Sequence, residues 1–98
     1  MPVCTSLADL REEGPNSYTA LNLWNNKIGD AGAVEVAQLL RGNTTITYVG
    51  LDDNNIGDTG AAALGEAFKV NTGIYGVYLD NNNIGATGAA ALGEAFKV

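Results

Sequence analysis

Three aromatic residues and four acids or amides carry the chemistry available to this sequence. They are Trp24, Tyr48 and Tyr78, with Asn22, Asp52, Asp53 and Asp80 around them. Large rings with charged neighbours suit recognition of another macromolecule. The rings bury apolar area, and the charges steer the approach of an oppositely charged surface. They do not suit bond-making. The chain has no histidine and one cysteine, Cys4, outside any motif, so the usual nucleophile–base pairs are not available and no catalytic residue is expected. The same shortage rules out a cysteine- or histidine-based zinc site. "DDNNIGDTG" at 52–60 superficially resembles a calcium loop, with Gly57 sixth from Asp52. The fifth position is Ile56 and the twelfth is Ala63, where a bidentate glutamate is needed. Asp52 and Asp80 share a register and could share a cation or meet a basic partner. The glycines do not follow a phosphate-loop spacing. No metal and no cofactor are expected.

The whole chain narrows the partners further. Its 98 residues suit one domain, and the 46% hydrophobic fraction supports a core. Eleven acids against five bases give a net charge of −6. That charge opposes binding to nucleic acid or to anionic lipid, both of which need Lys and Arg. The start "MPVCTSLADLREEGPNS" lacks a basic region followed by a long apolar run, so no signal peptide is read. No apolar stretch is long enough to span a bilayer. An intracellular, cytoplasmic location follows as the expectation. The Asn43-Thr44-Thr45 sequon then carries no weight.

The elements that position these residues repeat. Leu23, Leu51 and Leu79 are spaced by 28, as are Ile28, Ile56 and Ile84, Asn26, Asn54 and Asn82, and the glycines Gly32, Gly60 and Gly88. Residues 53–70 return at 81–98 with two changes, Asp53 to Asn81 and Asp58 to Ala86. Each period opens with an alternation of apolar and outward residues. In "ALNLW", Leu21 and Leu23 face one way while Ala20, Asn22 and Trp24 face the other, which is the rhythm of a strand. The second part is helical: Ala33, Val36 and Leu40, then Ala61, Leu64 and Phe68, then Ala89, Leu92 and Phe96 form apolar faces. Asp30 and Asp58 are expected to cap their own helices, and Ala86 lacks that cap. "RGN" (41–43) and "KVN" (69–71) are expected to end helices through a left-handed residue. Strand, turn, helix and return make successive strands parallel. Strands pack about 4.8 Å apart and helices about 10 Å, so the stack bends into a horseshoe with its strands on the inner, concave face.

The pattern L-x-L-x-x-N-x-I-x-x-x-G is carried by Leu21, Leu23, Asn26, Ile28 and Gly32, and again by Val49, Leu51, Asn54, Ile56 and Gly60. It resembles the leucine-rich repeat. The 28-residue length resembles the ribonuclease-inhibitor subtype, found also in NOD-like receptors and in the activating protein of the Ran GTPase. The resemblance covers 18–98. It implies an α/β leucine-rich-repeat solenoid, with parallel strands on the concave face and helices on the convex face. Asn26, Asn54 and Asn82 are expected to form a ladder of amide bonds to neighbouring backbone.

The reading divides the chain into an N-terminal helical cap or partial repeat at 1–17 and three repeats at 18–45, 46–73 and 74–98. "TSLADLREE" is the short helix of the cap, started by Thr5 or Ser6 and buried through Leu7 and Leu10. A C-terminal cap is not seen, so a longer receptor- or scaffold-like array is expected, with self-association through the open C-terminal edge as a further possibility. The turns and helices of the two copies agree while their strands differ, "ITYVGL" against "IYGVYL". Variation on a constant frame points to the outward strand residues as the binding surface. The expected partner is a protein or peptide with a basic patch. The alternatives are a regulator of a small GTPase, as the Ran-activating protein implies, and a self-assembling structural unit.

Overall fold

The 28-residue step becomes the register of a parallel sheet. In the computed structural model, residues 2–96 are described. Met1, Lys97 and Val98 lie outside, and with them the outer limits of the expected first and last segments. Strands β1 (Val3–Cys4), β2 (Ala20–Asn22), β3 (Tyr48–Gly50) and β4 (Gly76–Tyr78) lie side by side in chain order. Ala20 pairs with Tyr48 and Tyr48 with Gly76; Asn22 pairs with Gly50 and Gly50 with Tyr78. Helices α1 (Leu7–Glu13), α2 (Gly29–Arg41), α3 (Asp58–Val70) and α4 (Ala86–Ala95) form the crossovers, with a 3-10 turn at Pro15–Ser17. The whole is an α/β leucine-rich-repeat solenoid segment.

The first seventeen residues supply more than the expected helix. Val3 pairs with Ala20 and Cys4 with Leu21, so this segment adds a strand to the sheet. Two residues are too short for an alternation to show in the sequence. Ser6 caps α1 by accepting from the Asp9 N–H at 3.1 Å. Leu10 is fully buried and Leu7 half-buried. Gly14, at φ 82°, closes the helix with its N–H on the Leu10 carbonyl.

The capping aspartates do not serve their own helices. Asp30 lies in the first turn of α2, which has no side-chain cap. Its Oδ1 accepts instead from the N–H groups of Gly57, at 2.7 Å, and Gly60, at 2.9 Å, at the start of α3. Asp58 does the same for α4, through Gly85 at 2.7 Å and Gly88 at 3.0 Å. Each carboxylate therefore fills the orphan donors of the following helix. Gly60 is held to glycine by this approach, because a Cβ there would lie 2.7 Å from Asp30 Oδ1 and 2.9 Å from Ala33 Cβ.

Left-handed residues also sit elsewhere than expected. Gly42 (φ −101°) and Asn71 (φ −97°) end α2 and α3 without left-handed geometry. Positive φ falls in the strand-to-helix loops, at Asn25, Lys27, Asp53, Asn55 and Asn81. Asn and Asp tolerate this region better than other side chains. Asn43 and Asn71 are buried and hold these turns through their side chains rather than through left-handed backbone. Asn43 Oδ1 accepts from Thr45 and Ile46 N–H, and Asn71 Nδ2 donates to the Leu40 and Asn43 carbonyls.

The ladder at 26, 54 and 82 is present. Asn54 Oδ1 accepts from the Asn26 N–H at 2.8 Å, and its Nδ2 donates to the Leu23 carbonyl at 2.8 Å and the Asp52 carbonyl at 3.1 Å. Asn82 repeats this with the Asn54 N–H and the Leu51 carbonyl. A buried amide with both ends hydrogen-bonded offsets the cost of its desolvation and locks adjacent repeats in register.

Leu21, Leu23, Leu40, Ile46, Val49, Leu51, Ile56 and Leu64 fill the space between sheet and helices. The last repeat departs from the expected pattern. Phe68 is 5% exposed and its counterpart Phe96 is 51% exposed. Leu92 is half-buried, where Leu64 is fully buried. Among the described residues, no helix is long and apolar enough to cross a membrane.

Candidate interaction face

Outward strand positions collect the aromatics because period-two alternation sends their neighbours into the core. On β3, Tyr48 is exposed while Val49 and Gly50 are buried. Tyr48 is 37% exposed, Tyr78 50% and Trp24 60%. Tyr48 and Tyr78 meet diagonally across β3 and β4, ring centres 5.4 Å apart and planes 47° apart. The sequence suggests that each ring lies over the glycine of its own row; the structure shows Tyr48 leaning across both glycines. A Cβ at Gly50 would stand 3.2 Å from its hydroxyl, and one at Gly76 would stand 3.3 Å from its Cδ2. The absent side chains give the ring its bed. The exposed Asn22 lies beside the same patch, its Oδ1 close to where a Gly50 Cβ would be.

The acids are not equivalent. Trp24 Nε1 donates to Asp53 Oδ2 at 2.8 Å, which fixes the indole and half-buries the carboxylate. Asp52 Oδ1 accepts from the Asp80 N–H at 2.9 Å, tying the ends of neighbouring strands. Asp80 is exposed, and its carboxylate has no partner among the described residues. The structure thus groups Trp24 with Asp53, Tyr48 with Tyr78, and Asp52 with Asp80. One period on, the counterparts of Trp24 and Asp53 are Asp52 and Asn81, so the indole–carboxylate pair is not repeated.

One residue the sequence reading passed over is Tyr75, which is exposed just before β4 with its N–H on the Thr47 carbonyl. No signal for it lay in the sequence: alternation counted back from Tyr78 and Gly76 puts position 75 on the inner side, but the chain departs from that alternation before β4, leaving Ile74 buried and Tyr75 exposed. Among the described residues, no three His, Cys, Asp or Glu side chains are grouped to hold a metal ion.

Concavities lie on other faces. One of about 420 Å³ sits between α1 and α2, lined by Ser6, Leu7, Arg11, Asn26, Ile28 and Glu35. Another of about 310 Å³ sits among the helix-to-strand returns, lined by Arg41, Asn43, Val70 and Asn71. Above the first, Arg11 makes two bonds to Glu35, of 2.6 and 2.7 Å. The guanidinium hydrogen bond holds the Glu35 carboxyl below the ordinary range, and the same bond raises the Arg11 pKa. The pair fastens α1 to α2.

Fold and face together define a repeat solenoid with an open strand surface. A profile of the leucine-rich repeat matches residues 19–37, 42–65 and 77–93, each stretch running from a strand into the helix that follows it. The chain belongs to the leucine-rich repeat family. Among solved structures, leiomodin-1 actin-binding site 2 is similar with a TM-score of 0.79 and 26% sequence identity. The alignment covers 91% of this chain and 51% of that one, so this chain spans about half its length. No curated protein sequence matches.

Proposed function

We propose that this chain is a protein-interaction module that binds a protein or peptide on its strand face. Tyr48 and Tyr78 make the central contact, Trp24 and Asn22 extend it, and Asp52, Asp53 and Asp80 give the surround its negative charge. The reading rests on one observation above the rest: two exposed tyrosines packed on each other across adjacent strands. Ring pairs of this kind present rigid area with little rotamer entropy to lose. The similarity to a structure named for an actin-binding site supports binding rather than catalysis. The partner presents a basic, partly apolar patch, because the chain carries −6 and the face carries uncompensated Asp80. The 28-residue register supports placement in the ribonuclease-inhibitor-like subtype, with 1–17 as an N-terminal capping half-unit and repeats at 18–45, 46–73 and 74–98.

A displayed random-peptide library selected on the chain tests this. Enriched sequences should combine Lys or Arg with apolar residues and lose binding to a Tyr48→Ala, Tyr78→Ala double variant. Enrichment of acidic sequences, or equal binding to the double variant, contradicts it. Purified actin is a second probe in the same assay.

A further inference from the structure

We propose that Trp24, Asp52 and Asp53 form a seat for one arginine side chain of the partner. This seat rests on the strand-face reading above and names the chemistry of its cationic contact. It lies across the ends of β2 and β3, with strands of this chain on both sides. Trp24 is 60% exposed, and its indole is held in place, with Nε1 donating to Asp53 Oδ2 at 2.8 Å. The ring's one donor is therefore already used within the chain, and what it offers a partner is its face. Trp24 also stands in register with Asp52, since the Asn25 N–H donates to the Asp52 carbonyl at 3.0 Å. The indole thus has one carboxylate in its own row and another bonded to its edge.

Both carboxylates keep room for a cation. Asp53 uses Oδ2 for the indole, and Asp52 uses Oδ1 for the Asp80 N–H. Their other oxygens have no partner among the described residues, where the ion pairs are Arg11–Glu35 and Lys69–Glu66. The scaffold does not need the indole. One period on, Asp52 and Asn81 occupy the positions of Trp24 and Asp53, yet the backbone bonds are the same: Asn25 donates to Asp52, and Asp53 to Asp80. The charge calls for a cation, and the ring face selects arginine over lysine. A guanidinium is planar, so it stacks on an indole while its edge N–H groups reach carboxylates around the ring. An ammonium has no plane to stack and is more strongly hydrated. The row before Trp24 holds Asn22 and Gly50, with the Tyr48 ring leaning over the glycine. It lies two residues back, about 7 Å, which is the reach of an apolar side chain two residues from the arginine in an extended segment.

The probe is the peptide acetyl-Leu-Gly-Arg-Gly-amide, with analogues carrying lysine or citrulline in place of arginine. Trp24 is the sole tryptophan, so its emission and its single indole N–H resonance report on the seat directly. Titrating the arginine peptide into the full chain at fixed ionic strength should shift both signals to saturation. The citrulline peptide, planar but neutral, should bind about tenfold more weakly, with the lysine peptide between the two. An Asp52→Asn, Asp53→Asn double variant should lose a similar factor for arginine and keep its melting temperature, because each amide oxygen still accepts the bond its carboxylate accepts. Equal affinity for arginine and citrulline overturns the seat. So does a double variant that binds as wild type does, or an indole signal that never moves. Displayed peptides that need Tyr48 and Tyr78 but leave Trp24 emission unmoved would overturn the seat and keep the strand face. Peptides indifferent to the tyrosine variant and silent at Trp24 would overturn both.

Discussion

Asp30 on α2 accepts hydrogen bonds from Gly57 and Gly60 at the start of α3, so the N-terminal cap of one helix is a side chain of the helix before it. Capping and repeat stacking are then one interaction. Asp30→Ala should lower stability by about 1–2 kcal/mol, as for loss of a cap. Amide exchange should speed up at Gly57 and Gly60 and not in the first turn of α2. Faster exchange confined to α2 would return the cap to its own helix.

The same geometry changes what Ala86 means. Read from the sequence alone, it is a missing cap, and Ala86→Asp should stabilise by up to about 1 kcal/mol. In the structure Asp58 already supplies the cap of α4. An aspartate at 86 gains only the helix-dipole effect, about 0.3 kcal/mol at an exposed site. A full cap-sized rise in the denaturant midpoint would contradict the inter-repeat assignment.

The 28-residue period, the parallel strands, the helices and the asparagine ladder were legible because each is written several times in one register. What failed was reach. Spacing shows that Asp30 and Asp58 are equivalent, but it does not show whether a carboxylate turns to its own helix or to the next. β1 was invisible because two residues carry no rhythm. The burial of Leu92 and Phe96 was overestimated because a repeat copied in sequence is not copied in surroundings: α3 has a following helix among the described residues and α4 has none. At the candidate face the residue types were readable and their pairings were not. That Asp53 serves Trp24 while Asp80 stays open depends on side-chain direction.

The two leucines of the duplicated helix should separate in experiment. Leu64→Ala should cost about 2–5 kcal/mol, the range for a fully buried leucine. Leu92→Ala should cost about 1 kcal/mol, since it is half-buried and loses less transfer free energy. Chemical denaturation with an unchanged slope measures both. Equal losses would mean that the α4 face is covered in solution.

Asn54 should be less tolerant than its exposed neighbour Asn55. It is buried, and its amide joins the preceding repeat's turn, through Asn26 and Leu23, to its own turn, through Asp52. Asn54→Ala leaves those groups unsatisfied and should cost about 3 kcal/mol or more. Asn55→Ala is the matched control in the same melting experiment, and an equal loss there would refute the ladder.

The Arg11–Glu35 pair gives a pH signature. Its partner lowers the Glu35 pKa in the folded state. The contribution is therefore fully present above the unfolded glutamate value, about 4.3, and is lost as pH falls through the lower folded value. Wild type and Glu35→Gln should differ at neutral pH and converge in acid. A gap that widens in acid would have the wrong sign for a depressed carboxyl.

The central claim is that the strand face binds. Its most direct measurement is a calorimetric titration of one selected basic, apolar peptide into wild type, a Tyr48→Ala, Tyr78→Ala variant and a Glu66→Ala variant. Glu66 is exposed on α3, on the helix side, beside Lys69. The tyrosine pair should lose about 2 kcal/mol or more, roughly thirtyfold in affinity, with its fold intact by circular dichroism. Glu66→Ala should bind as wild type does. Affinity kept by the tyrosine variant and lost by Glu66→Ala would place the interface on the helices and contradict the account.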